Sequence, residues 1–215
     1  MVTLAALVVG LYVCSSFICR GAGDKRIALT FDDGPHYKYT EQILDILKKH
    51  DVKATFFTVG TNAERYPDII ERQLREGHEV ANHTYSHKHM NKLSEAEFKS
   101  EIQGWEDAMN GCLEHTSSLF RPPEGILTPT QTKIVKELGY ETVLWTVDTR
   151  DWAHNRVECI VDTVITEAGD EGIVLFHDFV TGNSPTPEAL DIIIPKLKEL
   201  GYELVTVSEL KNKAV

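Results

Sequence analysis

The chain has 215 residues, 42% of them hydrophobic, and a formal net charge of −11. That length suits one domain with a sizeable core and is short for a complete eight-unit barrel of about 250 residues. The acidic balance excludes a nucleic-acid binder, because no basic stripe is present to neutralise phosphates.

Val2 to Cys19 carries no charged side chain and is followed by Arg20, Lys25 and Arg26. Residues 1–23 therefore read as a signal peptide or membrane anchor, short for a spanning helix and without a basic segment ahead of it. The remaining domain, 24–215, is expected outside the cytoplasm, secreted or held on the outer face of the membrane. Cys14 and Cys19 fall in the leader, which leaves Cys112 and Cys159. Neither belongs to a Cys-x-x-Cys pair, so a cysteine metal site is not expected; a disulfide and two buried free thiols both stay open.

Beyond the leader, apolar runs alternate with amphipathic stretches. Strands are predicted over 26–32, 54–60, 79–83, 118–121, 142–148, 173–177 and 203–207. Helices are predicted over 40–50, from Pro67 to a stop at Gly77, from the capping box Ser94-Glu95-Ala96-Glu97 towards Cys112, and from Thr128-Pro129-Thr130-Gln131 to Gly139. Two more follow, over 156–168 and from Thr186, the last kinked or split by Pro195. Such alternation with short connections predicts an α/β fold: a distorted or incomplete (β/α) barrel of about seven parallel strands. An open doubly wound sheet is disfavoured because no glycine-rich phosphate loop follows the first strand.

The ends of the predicted strands carry Asp32 and Asp33, His83, Arg121, Asp148 and His177. The topology brings them to one rim, where barrel chemistry collects. Asp33, His83 and His87 offer one carboxylate and two imidazoles, the donor set of catalytic zinc sites; the two histidines, four residues apart, are placed on one helical turn. Asp32, beside that set, is the candidate general base, with Arg121 keeping it ionised. His177 is the candidate acid, oriented by Asp151 in the first instance and Asp148 in the second. Trp152 and Leu175 are candidates to wall a pocket for a small acyl group. Asn82-His83-Thr84 fits a glycosylation pattern but is read as coincidence, and His36, His50, His78, His115 and His154 are read as surface or loop residues.

Five stretches stand in a familiar order: Thr30-Phe31-Asp32-Asp33-Gly34-Pro35, His83-Thr84-Tyr85-Ser86-His87, Arg121-Pro122-Pro123-Glu124-Gly125, Asp148-Thr149-Arg150-Asp151-Trp152 and Leu175-Phe176-His177. Through them the chain after the leader resembles the polysaccharide deacetylases of the NodB-homology type, carbohydrate esterase family four. The resemblance implies a distorted (β/α) barrel that hydrolyses N-acetyl groups on polymers of β-linked aminosugars, chitin-like or peptidoglycan. It implies one divalent metal, Zn first with Co, Ni or Mn as alternatives, held by Asp33, His83 and His87, with Asp32 as base and His177 as acid. It places Pro123, Glu124 and Gly125 beside the substrate; Glu124 stands where the family often has an aromatic residue whose backbone amide helps to hold the oxyanion. An O-acetyl esterase acting on a polysaccharide such as xylan and a non-catalytic glycan-binding domain are the competing readings.

Overall fold

The computed structural model describes residues 25–109 and 111–212. The expected leader, with Cys14 and Cys19, lies outside them. Among the described residues no helix is long and apolar enough to cross a membrane.

Eight short parallel strands form one curled sheet: β1 (Arg26–Asp32), β2 (Thr55–Thr58), β3 (Glu79–Asn82), β4 (Leu119–Phe120), β5 (Glu141–Thr142), β6 (Val147–Asp148), β7 (Gly172–His177) and β8 (Glu203–Leu204). Their order is β5-β4-β3-β2-β1-β7-β6, with β8 set against the first residues of β1. The helices are α1 (Tyr39–Lys49), α2 (Gly60–Arg65), α3 (Pro67–Arg75), α4 (Glu95–Ala108), α5 (Pro129–Glu137), α6 (Val157–Glu167), α7 (Thr186–Glu199) and α8 (Val207–Lys211). This is a distorted (β/α) barrel.

Side-chain alternation along β1 decides what faces what. Ile27, Leu29 and Phe31 enter the layer between sheet and helices, where Phe31 stacks on Phe56 and Phe176 at 5.0 and 5.6 Å. Ala28 joins Phe57, Ala81 and Val143 in a second apolar cluster, on the other face of the sheet. Period two then puts Thr30 and Asp32 on the Ala28 face. β7 follows the same rule, and its register sets His177 directly opposite Asp32.

The single strand expected over 142–148 is divided. Its first part pairs with β4 and its second with β7, on opposite edges of the sheet, so the link 143–146 closes the curl. The Val143 and Thr146 N–H groups donate to the Phe120 and Ile173 carbonyls, both at 2.9 Å. A continuous β-forming run thus serves two edges, and this division makes eight strands of the expected seven.

Three smaller expectations are corrected. β2 stops at Thr58, because the Gly60 and Thr61 N–H groups turn to the Thr84 and Tyr85 carbonyls and open α2. The strand expected over 203–207 ends at Leu204, because Thr206 and Glu209 form a capping box for α8. Finally, α7 is not split at Pro195: Ile193, Ile194 and Leu197 are fully buried around it, and their packing carries the helix through. The capping boxes at Ser94 and Thr128 form as expected.

Candidate active site

The C-terminal ends of β1, β3, β4, β6 and β7 meet at one rim. Asp33 follows β1 in a left-handed backbone conformation (φ 78°), which turns its carboxylate back towards the loop after β3. There the Nε2 atoms of His83 and His87 stand 3.3 and 3.0 Å from Asp33 Oδ1. The three donor atoms lie within 4.8 Å of one another. Despite burial, the two imidazoles hold the Asp33 carboxyl far below its usual range, and Asp33 in turn raises His87.

Two observations test whether these residues suit a metal ion. Asp33 Oδ1 is buried and accepts no hydrogen bond, a costly state for a carboxylate oxygen unless a cation meets it. His83 Nδ1 lies 2.7 Å from the Arg121 carbonyl, which can only accept. The proton of neutral His83 therefore sits on Nδ1, leaving the Nε2 lone pair towards Asp33. The residues fit a divalent ion.

The two histidines do not share a helical turn, contrary to the reading from spacing. Residues 83–87 form a loop in which Thr84 (φ 69°) and His87 (φ 52°) are left-handed. Side chains supply the bonds a helix would have supplied: Asn82 Oδ1 accepts the Thr84 N–H, Thr84 Oγ1 accepts the His87 N–H, and buried Glu101 of α4 accepts both the N–H and the hydroxyl of Ser86. Asn82 itself is fully buried and donates to the Ile102 carbonyl, which excludes it as a glycan carrier in the folded chain.

Arg121 is fully buried and extends from the end of β4 across the interior. Its Nη1 donates to Asp32 Oδ1 at 2.7 Å and to Thr30 Oγ1 at 2.8 Å; Nε and Nη2 donate to the Val143 and Leu144 carbonyls, each at 3.2 Å. Those carbonyls belong to the link that closes the curl, so one guanidinium both holds Asp32 and completes the seam. Its face lies 4.0 Å above the Phe57 ring.

On the other side, His177 Nδ1 donates to Asp151 Oδ1 at 2.8 Å and the His177 N–H to Asp151 Oδ2 at 2.8 Å. Asp151 is fully buried and also accepts from the Trp152 N–H and the Thr186 hydroxyl. Burial works against protonation of His177, yet the Asp151 contact and the charges of Asp33 and Asp32 raise it to about 9. Asp148 is not part of this arrangement; it accepts the Arg150 N–H two residues on.

Trp152 is exposed and Leu175 is buried. Glu124, left-handed at φ 59°, faces His89 at 3.1 Å, and Gly125 (φ 70°) packs against Trp145, leaving no room for a side chain. Cys112 and Cys159 are free, the first half-buried and the second exposed, so neither is the buried thiol considered above. His78, read as a surface residue, is buried with its ring edge-on to Phe56.

Sequence reasoning missed Thr30, Asn62, Glu101, Trp145, Thr186 and Asp178. Asn62 Nδ2 donates to the Asp33 carbonyl at 2.7 Å. Asp178 is buried behind the Asp33 turn and accepts the Gly34 N–H and the Thr40 hydroxyl. Burial, together with the neighbouring Asp33 charge, raises its carboxyl to about 7 against the opposing Thr40 bond. Its signal was available, since it follows His177 directly.

Residues 20–143 match the family model described as polysaccharide deacetylase. The chain belongs to the polysaccharide deacetylase family. Within that family it is 42% identical over 189 residues to a peptidoglycan-N-acetylglucosamine deacetylase of Bacillus cereus, covering 87% of this chain and 88% of the relative. The crystal structure of a peptidoglycan N-acetylglucosamine deacetylase bound to 4-naphthalen-1-yl-N-oxidanyl-benzamide superposes with a TM-score of 0.85 at 37% identity, covering 90% and 91% of the two chains. A family-four pseudoenzyme from Bacillus anthracis also shares the deacetylase fold, with a TM-score of 0.82 at 33% identity and 91% and 68% coverage. Fold alone therefore does not separate an active member from an inactive one.

Proposed function

We propose that this chain is a metal-dependent hydrolase that removes N-acetyl groups from the aminosugars of peptidoglycan. The observation that carries the proposal is the buried Asp33 Oδ1, without a hydrogen bond and flanked by two imidazole Nε2 atoms. Asp33, His83 and His87 would hold the ion, with Zn²⁺ the first choice for one carboxylate and two imidazoles. When bound, such an ion lowers the pKa of water and polarises the acetyl carbonyl.

Asp32, paired with Arg121, takes the proton from the attacking water as its oxygen adds to the carbonyl carbon. His177, protonated and aimed by Asp151, gives its Nε2 proton to the departing nitrogen as the C–N bond breaks. Acetate and a glycan amine result. The register that sets Asp32 opposite His177 supports this division of labour. Glu124 contributes its backbone N–H to the oxyanion, and Pro123, Gly125, Trp152 and Leu175 shape the acyl pocket. The uncharged run from Val2 to Cys19 and relatives that act on the cell wall support an extracytoplasmic location.

Acetate release from peptidoglycan, chitin oligomers and acetylated xylan, before and after chelation and with Zn²⁺ or Co²⁺ restored, tests the reading. Release from peptidoglycan that vanishes with the chelator and returns with metal is expected. A metal-loaded chain that releases none would place it with the pseudoenzymes, and preference for xylan would make it an O-acetyl esterase.

A further inference from the structure

Asp33 reaches the two imidazoles only because residues 33–36 make a turn that its left-handed backbone does not favour, so the surroundings must hold that turn. Three bonds from outside do so. The Asn62 side chain donates to the Asp33 carbonyl at 2.7 Å, the Val59 N–H donates to the Gly34 carbonyl at 2.9 Å, and Asp178 Oδ1 accepts the Gly34 N–H at 2.9 Å. The last differs from the others in coming from an ionisable side chain.

Asp178 Oδ2 accepts the Thr40 hydroxyl at 2.6 Å, and Thr40 Oγ1 accepts the His36 N–H at 2.7 Å, so the carboxylate fixes the turn from Gly34 to His36. The fit leaves no slack: a β-carbon on Gly34 would stand 2.1 Å from Asp178 Oδ2. Among the described residues no lysine, arginine or histidine pairs with Asp178, whereas Arg121 pairs with Asp32. A buried carboxylate without a cationic partner, one residue behind a candidate metal ligand, is the arrangement by which an outer carboxylate strengthens a metal site.

We propose that Asp178 is a positioning residue for the metal arm of the site: it aims Asp33 at His83 and His87, and its ionised form adds to the hold on a divalent cation. The proposal rests on the metal reading above. Its test compares the wild-type chain with Asp178→Asn, Thr40→Val and Thr40→Ser. Zinc affinity is measured by competition with a chromophoric chelator, and the melting temperature is measured with and without zinc.

Asp178→Asn lowers zinc affinity about tenfold or more, and the zinc-induced rise in melting temperature shrinks with it. Thr40→Val acts in the same direction, while Thr40→Ser, which keeps the hydroxyl, retains wild-type affinity. A merely structural role would lower the melting temperature equally with and without zinc and leave affinity alone. Folded Asp178→Asn binding zinc within twofold of the wild type overturns the proposal, and if that variant does not fold, Thr40→Val decides by the same criterion. A wild-type chain that takes up no zinc overturns the metal reading instead, and this inference with it.

Discussion

The two ends of the sheet differ in backbone strain and in what their charged groups meet. At the N-terminal end the charged groups meet ordinary partners: the Arg26 guanidinium donates to the Glu209 and Leu210 carbonyls, and Glu79 accepts from the Thr55 and Ser208 hydroxyls, although the buried Gln73 side-chain amide at the end of α3 finds no partner. At the C-terminal end Asp33 Oδ1 accepts nothing, and carboxylates crowd together. Backbone strain divides the same way. Among the described residues, eight non-glycine residues have positive φ: Asp33, Thr84, His87, Glu124, Arg150 and His154 follow strand C-terminal ends, and Asp51 and Glu171 lie at the other. Backbone strain and crowded carboxylates collected at one rim mark the end shaped by function, and the end whose charged groups are paired holds the fold together.

Breaking the C-terminal rim should therefore abolish activity with little loss of fold. His83→Gln is expected to lower acetate release about 10³-fold or more, since the ion's charge stabilisation is worth several kcal/mol. Its metal-free stability should stay within about 1 kcal/mol of wild type, the range of a typical point mutation. Acetate assays beside urea unfolding check both; a large stability loss with activity retained would erase the distinction between the rims.

Next in size is Asp151→Asn, expected to lower kcat about 10²-fold. His177 acts as a protonated acid, so activity is lost as pH rises through its pKa, which stands raised to about 9 in the metal-free chain. Removing the Asp151 charge lowers that pKa, and the alkaline limb of the pH–rate profile moves to lower pH. An unmoved limb would mean that His177 is not the acid.

Two histidines whose pKa values move in opposite directions sharpen the contrast. His78, at the N-terminal end of β3, accepts the Ala54 N–H through Nδ1 at 3.2 Å. Burial, reinforced by Lys53, lowers its pKa from 6.5 to about 4. The unfolded chain then binds this proton more readily, so stability present above pH 6.5 is lost as pH falls towards 4, about 2 kcal/mol of it by pH 5. For His177 the sign reverses: its contribution is complete below pH 6.5 and is lost as pH rises through 9. His78→Gln, which keeps an acceptor and cannot titrate, should flatten the acid side of the metal-free stability profile alone.

How much of this was legible depended on whether a local pattern decided it. The apolar run Ile27-Ala28-Leu29-Thr30-Phe31, ended by two carboxylates and Gly34-Pro35, sufficed to place Asp32 at a strand end, and the capping boxes at Ser94 and Thr128 announced their helices. The division of 142–148 was not legible, because Thr142 to Val147 reads as uninterrupted strand and only closure of the sheet sends its halves to opposite edges. The loop from His83 to His87 misled for a related reason: a spacing of four fits a helix, but Asn82 and a glutamate eighteen residues downstream of His83, Glu101, hold it otherwise. His78, beside the turn residue Gly77, looked exposed because its burial depends on Phe56 from another strand.

The smallest effect tests the N-terminal end directly. Thr206 accepts the Glu209 N–H and, with Glu209 returning the bond to its own N–H, starts α8, whose last carbonyls are held by Arg26 of β1. Losing the cap in Thr206→Ala should cost about 1 kcal/mol, read as a lower urea midpoint at unchanged slope. Because α8 and β8 meet β1 at Arg26 and Ile27, five residues before Asp32 at the nearer of the two, the loss should not travel along the strand. Acetate release per bound zinc should equal that of the wild type. A change in kcat without a change in midpoint would show that the rims are coupled through β1, and that the N-terminal end also belongs to the catalytic apparatus.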